Sequence, residues 1–433
     1  LERNTIRHFY NLESFFMRFP SLFALILLIC AFPTTSFASD QIPGAAQAQP
    51  IAIMGATIHT VSGDTIERGS ILFESGKITA VGKDLQFPLE TRLIEAGNKH
   101  IYPGLIEAYC DIGLVEINSI RATIDSREIG SINSNVRSIV AVNPDSELIP
   151  VARANGILSA LTVPVGDLVA GQSSLIALDG WTRDDMALKE AVGLHVRWPS
   201  KSDERQELTA FIEQAKRYFV ARDNAASGGQ PLDLRLEAVA GVLDRSTAFV
   251  VDANDVDSIR EAVAFAKKHS LRLIIHGGRD ALVCSELLRS EKVPVIVSAV
   301  YRNPSFRHSA YDEAYSLPKR LSDAKIEFCI STGGRFGANG IRNLPYNAAT
   351  AAAYGLSEEI ALRAITLNPA RILGVEDRIG SLQVGLDATL FVADGNILET
   401  PTNVELAYIQ GRAVELTSRH TQLYEKYKQK YAR

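Results

Sequence analysis

Between Phe249 and Ile330 the chain repeats one unit, an apolar run followed by a helical periodicity, about every 25 residues, and this rhythm narrows the fold more than any other feature. Phe249-Val250-Val251 is strand-like. Ile259, Ala262, Val263 and Ala266 then recur at i, i+3, i+4 and i+7 and mark one apolar helix face, with Asp257 placed to cap it. Leu271 to Ile275 reads as a strand, Asp280 to Arg289 as a helix and Val293 to Val297 as a strand. A helix ending near Ser322 leads into Ile326 to Ile330. Strand and helix in alternation imply parallel strands covered by helices. No glycine-rich phosphate turn follows the first strand, so a closed (β/α)8 TIM-like barrel is favoured over an open sheet. The polar stretch 116–143 is expected to form a long loop over the barrel mouth.

The two ends have a different pattern. Ile51 to Met54, Thr57 to Val61, Gly69 to Glu74 and Ile78 to Val81 are short strands, separated by turns at Ser62-Gly63-Asp64 and Ser75-Gly76-Lys77. Ala388 to Val392 and Val404 to Ile409 are strands again, followed by a turn at Gln410-Gly411-Arg412. Neither end alone has enough strand to bury a core, so the two are expected to share one small β-sandwich domain. The expected division is 51–100 and 376–415 for that domain, 101–375 for the barrel and 416–433 for a charged C-terminal helix. In that helix Leu423, Tyr427 and Tyr431 share a face among Lys426, Lys428 and Lys430, and docking on its own domain is expected.

The first residues read as a targeting segment. Met17-Arg18 opens a basic start, Leu22 to Phe32 is almost wholly apolar, and Ser36-Phe37-Ala38 supplies small residues at a cleavage site. Met17 is the better start, with residues 1–16 an upstream translation of the same frame. The apolar run is about half the roughly 20 residues that span a bilayer, so no transmembrane anchor is expected. Cys30 follows Leu28-Ile29, where lipidation wants a small residue. Cleavage near Ala38 would deliver an exported, periplasmic or extracellular, protein with three cysteines. Cys110, Cys284 and Cys329 all lie in apolar surroundings and are expected as buried thiols. A net charge of −5 gives no basis for nucleic-acid binding.

Three motifs carry a resemblance. Tyr102-Pro103-Gly104-Leu105-Ile106-Glu107-Ala108 is similar to the "PGLID-A-H-x-H" stretch of the amidohydrolase superfamily, in particular its imidazolonepropionase-like branch. Gly76-Lys77-Ile78-Thr79-Ala80-Val81-Gly82 resembles that branch's "GKI-x-x-VG". Ala364 to Gly374 and Gly380 to Ala388 resemble its closing segment, "GSL-x-x-GK-D-A" included. The likeness runs from about Ile51 to Val414 and implies a barrel with a small β-domain.

For chemistry the resemblance implies a site emptied of most metal ligands. Family members use one or two divalent ions to generate hydroxide and polarise a cyclic amide or similar bond. Their first two ligands are histidines two apart on the first barrel strand; Tyr109 and Asp111 stand there. A mid-barrel histidine corresponds to Asp252. The next ligand place, counted without a gap, falls on Gly277, which leaves His276 one residue early and facing the other way. Gly333 stands where the last aspartate belongs. The candidate catalytic residues are therefore Asp111, Asp252 and His276. Tyr109, Thr332, Arg335 and Arg342 are candidate ligand-binding residues, with Arg335 and Arg342 suited to an anion beside the glycines of 333–340. No bound cofactor is expected, although the two acids and His276 form at most a weak, oxygen-rich divalent site. Each of these side chains also has a plain structural reading as a hydrogen-bonded polar group of the barrel mouth, and so has His195 on a buried strand.

Other chemistries fare less well. No Gly-x-Ser-x-Gly elbow is present, and the carboxylates Glu107, Asp111 and Asp252 supply only a generic basis for glycoside hydrolysis. Two functions remain. One is a hydrolase of carbon–nitrogen, non-peptide bonds in small cyclic or acylated substrates, with an altered or absent metal site. The other is a catalytically inactive exported barrel serving as a ligand-binding protein or as the partner of an active paralogue or a second copy.

Overall fold

The computed structural model describes residues 41–224, 231–333 and 337–432. Residues 1–40, which hold the expected targeting segment, and Arg335 lie outside the described residues. Among those described, no helix is long and apolar enough to cross a membrane.

The chain ends form one mixed sheet. Its strands are β1 (Ile51–Ile58), β2 (Ile66–Glu74), β3 (Lys77–Gly82), β4 (Arg92–Glu95) and β5 (His100–Pro103) from the N-terminal side. β14 (Leu390–Ala393), β15 (Val404–Ile409) and β16 (Arg412–Ala413) come from the other end. The order is β16-β15-β14-β5-β1-β2-β3, with β4 also on β1, so β5 and β14 join the two ends antiparallel, as the shared-core argument requires. Ile53, Ile71, Phe73, Ile101, Leu390 and Tyr408 are buried between its layers. The Asp387 carboxylate ties the sheet down: it pairs with Lys77 and Arg378, and Arg378 also donates to the Leu188 carbonyl.

The second sheet contains β6 (Leu105–Cys110), β7 (Ile157–Thr162), β8 (Val169–Ala177), β9 (Ala187–Arg197) and β10 (Ala248–Ala253). It continues through β11 (Leu273–Gly277), β12 (Val295–Ser298) and β13 (Phe328–Ser331). These eight strands pair in sequence order and nearly close into a barrel. The architecture is a TIM-type barrel with an added β-sandwich domain. Val250, Ile274, Ile296 and Cys329, with Ile106 and Ala108, fill its interior. One departure from the all-parallel expectation is local: β8 runs antiparallel to both β7 and β9, forming a meander where a helical crossover is absent. Between β6 and β13 the ring is completed by the 364–365 backbone, whose carbonyls accept from Ile330 N–H and Ile106 N–H.

The helix expected after β10 spans Val256–His269 and buries Ile259, Ala262, Val263 and Ala266. Its cap is Asp255, which accepts from Ser258 N–H, not Asp257, which sits in the first turn. The 116–143 stretch is largely irregular and is strapped to its neighbours by single bridges, among them Ile132 to Val169 and Arg137 to Gln172. The C-terminal helix, Arg419–Tyr431, is held by a Ser418–Thr421 capping box but buries no residue, so it does not dock as the sequence reading expects. Cys110, Cys284 and Cys329 are free and buried.

Candidate active site

In a barrel strand alternate side chains face the interior, so residues two beyond the interior layer form the next layer toward the C-terminal mouth. Val250 is followed by Asp252, Ile274 by His276, Ile296 by Ser298 and Cys329 by Ser331. Asp252 and His276 are register partners on neighbouring parallel strands and share one face. The expectation that His276 faces away is therefore corrected. The strand keeps its phase to the end, and the chain turns only afterwards, at Gly277 and Gly278, both at positive φ. A Cβ at Gly277 would meet the Asn254 side chain at 2.5 Å, so the turn needs glycine there.

The Asp252 carboxylate and His276 Nδ1 are in direct hydrogen-bond contact. Tyr109 lies flat on the imidazole, with ring centroids 3.5 Å apart and planes 3° from parallel, and its hydroxyl donates to Asp252. Burial alone would raise the Asp252 pKa. The neighbouring His276, and then the hydrogen bonds from His276 and Tyr109, hold it below the usual carboxylate range. Burial, followed by the charge of Asp252, pushes the Tyr109 phenol well above its ordinary value, so it stays a donor. His276 Nε2 is buried without a hydrogen-bond partner. His276 also lines a cavity of about 210 Å³ with Asn254, Ser298, Ser305, Arg279 and Arg302.

His195, on β9, sets its ring edge-on to Tyr109 and bonds to Ser173 Oγ at 2.7 Å. Burial pushes its imidazole pKa down to about 3, so it is neutral at ordinary pH. It belongs to the packed wall of the site, as its apolar neighbours predict.

The remaining candidates are spent elsewhere. Asp111 accepts from Ala338 N–H at 2.6 Å and anchors the 337–343 segment; burial raises its pKa while that bond opposes the rise. Thr332 gives both its N–H and its hydroxyl to Glu107, at 3.0 and 2.7 Å. Arg342 is exposed, and its carbonyl accepts from Asn155, which precedes β7 at the end of the strands opposite the pair. Glu107 is fully buried. It accepts from Ser331 and Tyr109 N–H as well, so its two oxygens close the seam between the first and last strands. This use of Glu107 is absent from the sequence reading, which weighs it only for glycosidase chemistry. Its place two residues before Tyr109, within the family-like motif, is the signal that marks it.

The resemblance implies a divalent ion, and the side chains that would surround one are mostly engaged elsewhere. Asp111 is committed to a backbone N–H, so the open imidazole nitrogen His276 Nε2 has only the Asp252 carboxylate beside it as a further donor. A side chain at position 333 is obstructed as well: Gly333 has φ +44°, and a Cβ would fall 2.0 Å from Ser298 Oγ. Among the described residues no group of three or more His, Cys, Asp or Glu side chains is arranged to hold a metal.

Known proteins agree with this architecture. The amidohydrolase family model matches residues 252–414. An amidohydrolase from Thermotoga maritima is 26% identical and superposes with a TM-score of 0.78 over 84% of this chain and 99% of its own. A prolidase crystallised with N-methylphosphonate-L-proline is 14% identical, with a TM-score of 0.55 over 84% of this chain and 99% of its own, and shows the fold alone. Amidohydrolase tasK of Hapsidospora irregularis is 22% identical over 391 residues, which cover 80% of this chain and only 40% of that protein. These matches, with the barrel and its two-ended β-domain, support membership of the amidohydrolase superfamily.

Proposed function

We propose that this chain hydrolyses a carbon–nitrogen bond of a small cyclic or acylated substrate, using the Asp252–His276 pair in place of the family's metal-ligating set. The observation that carries the reading is the unpartnered His276 Nε2 on a ring whose Nδ1–H is fixed by Asp252. Fixing Nδ1 as the donor leaves the Nε2 lone pair as a base. In the reaction His276 Nε2 takes a proton from water, the hydroxide oxygen bonds to the carbonyl carbon, and the carbon–nitrogen bond breaks. The departing nitrogen receives the proton back from His276. Asp252 stabilises the transient imidazolium, and Tyr109 holds the ring in plane and excludes water from its face. The superfamily relation supports the bond class, and the cavity beside His276 supports a small substrate. The imidazolonepropionase-like motifs favour a cyclic amide within that class.

A panel of dihydroorotate-like, hydantoin-like and acyl-dipeptide compounds tests the reading. Turnover of at least one, lost by about 10²–10⁴-fold in His276→Gln, is expected for removal of a general base. No turnover of any, or turnover unchanged in that variant, contradicts it. We also propose export, from the basic, apolar and small-residue order of residues 17–38. A mature protein beginning near Ser39 in a periplasmic or culture fraction is the expected result.

A further inference from the structure

The opposite end of the barrel holds a second cavity, of about 440 Å³, where the chain enters β10 to β13 and meets the helix Leu367–Leu373. Its lining carries five cations, Arg245, Lys267, Arg272, Lys292 and Arg371, against two carboxylates, Glu291 and Glu327. Lys267 is paired with Glu291, and Glu327 faces Arg371. Arg272 has Glu376 nearby, outside the lining, which leaves Arg245 and Lys292 in excess on the wall.

We propose that this cavity is a binding site for a small multivalent oxyanion, a phosphoryl or polycarboxylate compound, separate from the Asp252–His276 pair. Arg272 is fixed in place by donating Nη1 to the Ile372 carbonyl. Its guanidinium is partly buried, and Arg245 adds a like charge: burial first, then Arg245, lowers its pKa, with Glu376 opposing. Two guanidinium groups that repel one another beside a cavity are stabilised by an anion between them, and their forked donors suit phosphate or carboxylate oxygens. With Glu376 counted beside Arg272, the excess of two cations matches a ligand of about two negative charges. The whole chain is net −5, so its overall field repels anions and only a local site would collect one. Arg272, just before β11, and His276 within it lie four residues apart, about 13 Å in extended chain, too far for one small anion to serve both sites.

Calorimetric titration of the full chain with pyrophosphate and with citrate, using acetate as a singly charged control, tests the site. Saturable one-to-one binding of either multivalent anion, without saturable binding of acetate, is expected. The stronger of the two identifies phosphoryl or carboxylate chemistry. The Arg245→Gln/Lys292→Gln double variant changes two exposed side chains and is expected to keep its circular dichroism spectrum and lose affinity at least tenfold. Absence of saturable binding by the unaltered protein, or equal affinity in a folded double variant, overturns the proposal.

Discussion

At the scale of single residues, the pair at the mouth depends on which imidazole nitrogen carries the proton. Asp252→Asn keeps the shape but presents an amide that can donate to Nδ1, which favours the tautomer with its proton on Nε2 and blocks the base. A fall in kcat/KM of at least about tenfold, with an unchanged melting temperature, is expected from a substrate assay beside a thermal scan. Activity equal to the parent would remove Asp252 from the mechanism. Gly333 makes an independent prediction. Gly333→Ala places a Cβ into Ser298 Oγ at a positive φ, and should cost about 1–3 kcal/mol in urea unfolding. The residue types at the site were legible in the sequence: Tyr109, Asp111 and Asp252 stand where family-like motifs put ligands. The facing of His276 was not, because ungapped counting carried the register back through Gly277-Gly278, where the backbone turns at positive φ. Nor could sequence tell that Asp111 and Thr332 would be spent on Ala338 and Glu107, since those contacts join residues more than 220 positions apart.

At the scale of elements, the seam between β6 and β13 is the weak point of a barrel that is nearly closed. Glu107 fills it with four hydrogen bonds to Tyr109, Ser331 and Thr332. Glu107→Ala leaves buried donors unsatisfied and is expected to lower unfolding free energy by at least about 2 kcal/mol, read from the urea midpoint. A midpoint equal to the parent's would show that the seam is held by the 364–365 backbone alone. The strands from β10 to β13 were legible because apolar runs buried on both faces leave an unbroken signal. The antiparallel β8 was not: Val169–Ala177 is wholly buried, and a run buried on both faces carries no mark of direction. The capping of Val256–His269 was misplaced by two residues for a related reason, since Asp255 and Asp257 both precede the same apolar face and only backbone geometry selects between them.

At the scale of the whole molecule, two histidines link stability to pH. Burial, with His100 adding and Glu67 opposing, lowers the His59 pKa to about 4, and burial lowers that of His195 to about 3. Both folded values lie below the unfolded value of 6.5, so the unfolded chain takes up these protons first as pH falls. The stability they contribute is fully present above about pH 6.5 and is lost as pH falls through their folded values. Each adds a slope of at most about 1.4 kcal/mol per pH unit in that window. Buried carboxyls with raised pKa values, such as Glu107 and Asp111, act in the opposite sense. The parent's urea midpoint should therefore drop more from pH 7 to 5 than that of a His59→Gln/His195→Gln variant; equal changes would contradict the buried, neutral state of both rings.

The central proposal is that this barrel works through an acid–imidazole pair rather than through a bound ion. Elemental analysis of protein purified without chelator tests it most directly. The account predicts zinc, manganese and iron each well below one equivalent per chain. A full equivalent of any of them, removed only by a strong chelator, would contradict it.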